Sequence, residues 1–307
     1  MFHWQAYWKT MANFGETERY IKTLFVAERN FDYEGVIYTV LKCGKPAPSR
    51  GECKTDIYVL AQDANGENRE FKISVKQDNA DFLENKISLD RAIEILGDEA
   101  QDIIARSIAK IRKVFEDDYL VYFNRYRRTE ALCLKMGWKF EFINKSGGEK
   151  CGEIELTDQQ KVDIYAGTNL NPNKKNCTVN GEEILDSGVA NYIINVDVSG
   201  KPLDYYLNKM RPIGSFAIEQ KIYFVCKALN YRSSKDKWDG DRPLAVYVNW
   251  TLDADNKLNG NLVFENPLSV KGNVIGGNIM KILTTLNINK ENFSNLRNYL
   301  HENVNVV

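Results

Sequence analysis

C-K-T-D-I-Y-V-L-A at 53–61, then D-A-N-G-E-N at 63–68, then E-F-K-I-S-V-K-Q at 70–77: this stretch decides the fold. Strand residues alternate between faces with a period of two. Ile57, Val59 and Ala61 therefore share one face of the first strand, and Asp56, Tyr58 and Leu60 the other. In the second strand Phe71, Ile73 and Val75 form an apolar face, and Lys72, Ser74 and Lys76 a polar one. Asn65-Gly66 carries hairpin-turn chemistry. A turn centred there sets Asp56 opposite residues 74–76. If the two apolar faces share a core, Asp56, Ser74 and Lys76 converge at one end of the hairpin. A carboxylate holds a hard divalent cation through oxygen, and an ammonium beside it orients an attacking water.

Outward from the hairpin, residues 15–29 carry an amphipathic helical pattern with Tyr20, Ile21, Leu24 and Phe25 on its buried side. Residues 33–42 read as a strand and 45–51, with two prolines and a glycine, as a loop. Residues 88–115 are helical, broken at Gly97-Asp98. Further strands are expected at 139–145, 153–156, 190–198, 242–250 and 261–265, whereas 216–231 fits either helix or strand. The Asn- and Gly-rich stretch 167–181 reads as an internal boundary. The pattern predicts an α/β fold with a β-rich C-terminal portion. The division expected is a core over 1–165 and a recognition portion over 166–307, or one continuous domain.

With K-T-D-I-Y-V and I-S-V-K-Q in place, residues 15–115 resemble the PD-(D/E)-x-K nucleases, most closely type II restriction endonucleases. The resemblance implies a restriction-endonuclease-like α/β core, a central mixed β-sheet flanked by helices, and Mg2+-dependent hydrolysis of double-stranded DNA at a short specific sequence. It makes Asp56 the metal-binding aspartate and Lys76 the catalytic lysine. Val75 offers its carbonyl to the metal, and Gln77 matches the glutamine that often follows the lysine. Thr55 replaces the usual proline, and Ser74 replaces the second acid. Some restriction enzymes with the same Ser-x-Lys supply that acid from the following helix. The order of preference is therefore Glu84, Asp90 and Glu34 (Glu18 and Asp78 come after them). Glu52 shares a face with Asp56, but four residues of strand put it about 13 Å away. Read without the resemblance, the same residues make a surface hairpin with an ordinary ion pair.

The rest of the chain limits the alternatives. Hydrophobic residues are 43% and charged residues 27% of 307, as in globular proteins. No apolar run reaches a membrane span, and MFHWQAYWKTMANFGE does not read as a signal peptide. The six cysteines form no C-x-x-C pair, which argues against structural zinc and for a reducing cytoplasm. Only His3 and His301 are histidines, which disfavours Ser-His-Asp chemistry. The net charge of −1 requires any DNA-binding charge to be local. Residues 106–139 hold nine basic and four acidic residues, with Arg125, Arg127 and Arg128 beside Tyr126. Residues 209–242 hold eight basic and four acidic ones, including Arg232, Lys235, Lys237 and Arg242 around Trp238. These are the candidates for DNA contact. GNVIGGN (272–278) lacks the Lys-Ser/Thr of a P-loop and reads as a flexible turn, with no nucleotide cofactor. A palindromic target implies a homodimer. Two other functions stay open: a repair or phage nuclease on the same fold, and a non-catalytic DNA-binding protein with a decayed site.

Overall fold

A computed structural model describes residues 14–77, 82–85, 87–196 and 198–307. The chain forms two compact units, Met1–Ala80 with Lys161–Gln220, and Asp81–Gln160 with Lys221–Val307. Each unit draws on two separate segments, so the division differs from a single boundary near 165. The cause is strand pairing: Tyr192–Asn195 returns to lie alongside Ile73–Lys76.

In the first unit, helix α1 (Phe14–Leu24) precedes strands β1 (Asn30–Tyr33), β2 (Val36–Gly44), β3 (Ile57–Asp63) and β4 (Asn68–Lys76). These four and the strands Tyr192–Asn195 and Met210–Pro212 form one six-stranded sheet in that order. Only the pairing of β4 with Tyr192–Asn195 is parallel, so the sheet is mixed. Ile57, Val59, Ala61, Phe71, Ile73 and Val75 are buried on one face, under Ile21 and Phe25 and under Leu203, Tyr206 and Leu207 of helix Leu203–Leu207. Phe71 stacks on Tyr192 with ring centroids 5.4 Å apart, a contact worth about 0.5–1.5 kcal/mol beyond its area. The other face is covered too: Tyr58, Ser74 and Ile193 are buried there.

The single strand expected at 33–42 is a hairpin. Glu34 and Gly35 both have positive φ, 55° and 80°, which matches a type I′ turn between β1 and β2. Glutamate is an unusual residue for that turn, so its signal was hidden inside an alternating pattern. The boundary expected at 167–181 is likewise a hairpin, Cys177–Val179 with Glu182–Ile184, turning at Asn180-Gly181.

The second unit is built on the long strand Cys133–Ile143, paired antiparallel with Tyr223–Arg232 in an eight-stranded sheet. Helices Leu89–Leu96 and Ala100–Ala109 flank Gly97, whose φ of 79° closes the first of them. The GNVIGGN segment opens a 14-residue helix, Gly272–Thr285, and is no flexible turn. Its glycines serve packing: a Cβ on Gly276 would lie 2.7 Å from the Trp238 ring. Among the described residues, no helix is long and apolar enough to cross a membrane.

Candidate functional site

The hairpin register is the one the turn demands. Ile57 faces Ile73 and Gln62 faces Asn68, so the same sum of residue numbers sets Asp56 opposite Ser74. At the turn, Asp63 accepts the N–H groups of Asn65 and Glu67, each at 2.9 Å, and fixes the loop. At the other end the chain leaves the ladder. Asp56 still donates its N–H to Ile73 at 2.9 Å, while Lys54 and Thr55 donate theirs to the Gly188 carbonyl at 3.0 and 3.3 Å. Gly188 must be glycine, because a Cβ there would meet the Lys174 carbonyl at 2.0 Å.

This anchoring leaves the Asp56 carboxylate at the strand end. Its Oδ2 accepts the Val75 N–H at 2.7 Å, and Ser74 Oγ stands 3.5 Å away. Surrounding protein holds the Asp56 pKa above the ordinary carboxylate range, and the neighbouring Glu18 adds to the rise. Lys76, the Val75 N–H and Lys45 oppose it. Asp56 therefore sits with one acid and two ammonium groups within electrostatic reach.

Glu18 arrives from α1. Thr17 and Ile21 are buried one turn apart, which turns α1 onto the sheet. Gln77 Nε2, just beyond β4, lies 3.4 Å from Thr17 Oγ1. Glu18 follows Thr17 and pairs with Lys45 at 2.8 Å. Lys45 comes from the first residue after β2, whose last residue, Gly44, pairs with Tyr58 at the Asp56 end of β3. The cluster is thus Asp56, Glu18, Lys76 and Lys45, with Ser74, Val75 and Gln77 around it.

The donors suit a hard cation. Two carboxylates supply oxygen, and among the described residues the buried Gln77 Oε1 and Thr55 Oγ1 have no hydrogen-bond partner. Burial pushes the nearby Cys53 thiol up to about 12, keeping it protonated and out of the donor set. Among the described residues no group of three or more His, Cys, Asp or Glu is assembled, so a cation here would keep much of its water.

The favoured second acids fall on other elements. Glu34 is in the β1–β2 turn, 61% exposed and 3.9 Å from Arg69. Its strand starts near Asp63 (Tyr38 faces it), at the end of β3 opposite to Asp56. Glu84 and Asp90 belong to the second unit. Glu84 is in a short strand opposite Phe142, ahead of the helix Leu89–Leu96, and pairs with Arg91 at 2.8 Å. Asp90 is exposed in the first turn of helix Leu89–Leu96, where a negative charge suits the helix dipole. Asp78 and His3 lie outside the described residues. Glu18, which the sequence ranks after these three, is the acid within electrostatic reach of Asp56. The signal for it was its position beside Thr17 on the sheet-facing side of an amphipathic helix.

The DNA-contact candidates all lie in the second unit. Arg125, Arg128, Lys237 and Arg242 are exposed. Arg127 is exposed, 3.6 Å from Glu149 and 5.4 Å from the Tyr126 ring centroid. Arg232 and Lys235 are not a free basic patch. Arg232 pairs with Asp239 at 2.6 Å and Glu130 at 2.7 Å, and Lys235 shares Glu130. Trp238 packs against Gly276 of the helix Gly272–Thr285, which takes a face that base stacking would need. In comparison with known proteins, the chain matches no family model, no curated protein and no solved structure.

Proposed function

We propose that the chain is a Mg2+-dependent endonuclease that hydrolyses phosphodiester bonds in double-stranded DNA, of the type II restriction kind and acting as a homodimer. The observation that carries this reading is the register that sets Asp56 opposite Ser74, two residues before Lys76, with Glu18 brought up from α1. Asp56 and Glu18 would hold the cation. Bound there, it supplies positive charge against a phosphate under attack. Lys76 orients the attacking water with its ammonium and stabilises the charge that develops. Ser74 is wholly buried, so its part is to line the floor under Asp56. Gln77 ties the strand end to α1. The exposed arginines 125, 127 and 128, with Lys237 and Arg242, supply phosphate and base contacts.

Incubating the full chain with a large phage DNA and Mg2+ tests this. Discrete fragments support site-specific cleavage. A smear supports a less selective nuclease using the same site, and intact DNA supports a binding protein without chemistry.

A further inference from the structure

We propose that Lys45 is a resident counter-ion of the carboxylate pair Glu18 and Asp56, one that a divalent cation displaces on binding. The inference rests on the reading that these two acids hold such a cation. Its geometric basis is independent of the Asp-x-x-Lys pattern. Lys45 Nζ lies 2.8 Å from Glu18 Oε2. Its backbone follows Gly44, which faces Tyr58 two residues after Asp56.

Two carboxylates at the junction of α1 and the strand ends repel each other. The hydrogen bond between Gln77 and Thr17, at 3.4 Å, is long and weak. An ammonium beside Glu18 offsets that repulsion and keeps α1 seated on the sheet. Lys76 has less freedom to serve this purpose, because its backbone is held in β4 by pairing with Asn195. Lys45 stands on a loop, with its side chain 59% exposed and that of Glu18 21% exposed. A solvent-accessible ion pair of this kind is weak and exchanges at little cost. A divalent cation offers the same two acids twice the charge. Lys45 thus acts as a positioning residue: it prepares the pair and competes with the ion that the pair receives.

The test measures cation binding, apart from cleavage. Mn2+ serves as probe, titrated into the full chain and followed by the electron paramagnetic resonance of the free ion. Lys45→Met should tighten Mn2+ binding by roughly two- to fivefold, the scale of an exposed ion pair. In a Glu18→Gln background the same substitution should produce no gain, because the competition is for Glu18. Lys45→Arg, which keeps the charge, should bind as the parent does. A lower melting temperature for Lys45→Met without Mn2+, recovered when Mn2+ is added, should accompany the gain. No gain, or an equal gain with and without Glu18, overturns the proposal while leaving the cation site intact. Absence of Mn2+ binding in both the parent and Lys45→Met overturns the site reading itself, and the proposal with it.

Discussion

Replacing Glu18 and Glu34 by alanine, one at a time, separates two accounts of the second acid. From Asp56 to Asp63 the strand advances seven residues, about 23 Å at a rise of about 3.3 Å per residue. Glu34 lies beyond that far end, since Tyr38 faces Asp63. At 20 Å two charges in water interact by about 0.2 kcal/mol, and screening beyond a Debye length of about 8 Å removes most of that. Glu34→Ala should therefore change the cleavage rate less than about twofold. Glu18 is within electrostatic reach of Asp56. A carboxylate about 4 Å from a bound cation, in surroundings of effective dielectric about 20, is worth about 4 kcal/mol per unit of cation charge. Losing roughly that stabilisation slows the reaction by about 10²- to 10³-fold. The assay is single-turnover cleavage of plasmid DNA at fixed Mg2+, with folding of each variant checked by its melting temperature. A Glu34→Ala rate as low as that of Glu18→Ala, or a Glu18→Ala rate within about threefold of the parent, would refute the reasoning.

Lys76→Ala should lower cleavage by at least about 10²-fold, the scale of a positioned proton donor or acceptor, and Lys76→Arg should not restore it, as single-turnover rates will show. Asp56→Asn should raise the melting temperature of the cation-free protein at neutral pH while cleavage is lost. The raised Asp56 pKa means that ionisation costs the folded state stability as pH rises through its titration; the advantage of Asn must therefore shrink below the ordinary carboxylate range, which thermal melts across pH will reveal. Ser74→Ala should cost at most about 1 kcal/mol and leave cleavage within a few-fold. Ser74→Glu should destabilise the protein instead of restoring a ligand, because the position is wholly buried; denaturant melts distinguish the two. Gly276→Leu should destabilise by about 1–3 kcal/mol, since its Cβ alone would stand 2.7 Å from Trp238.

The hairpin of β3 and β4 was legible because three signals agreed: alternating apolar residues, the Asn-Gly turn, and a register that one turn position determines. The strand character of these segments and the inward side of α1 followed from the same periodicities. Other features depended on contacts distant in sequence. The Glu34-Gly35 turn carries a residue that seldom adopts positive φ, and alternation ran straight across it. The helix Gly272–Thr285 reads as a turn in the sequence because its opening GNVIGGN is rich in glycine, whereas Gly276 is where the Trp238 ring packs. Arg232 looked like a DNA contact by composition, yet Glu130, about a hundred residues away in sequence, neutralises it. The unit division was hidden because a parallel pairing joins 73–76 to 192–195, and parallel partners leave no local turn to read. Glu18 and Lys45 share that difficulty: their meeting depends on where a helix and a loop land on the sheet.

In the proposed function Asp56 serves the chemistry and other residues serve DNA binding. This division is tested most directly by measuring cleavage and DNA binding of Asp56→Ala beside the parent protein, with Mg2+ for cleavage and Ca2+ for binding. The account predicts Mg2+-dependent fragments from the parent, no cleavage by Asp56→Ala, and retarded DNA complexes from both. Cleavage by Asp56→Ala at a rate near that of the parent, or no cleavage by the parent under any divalent cation, would contradict it.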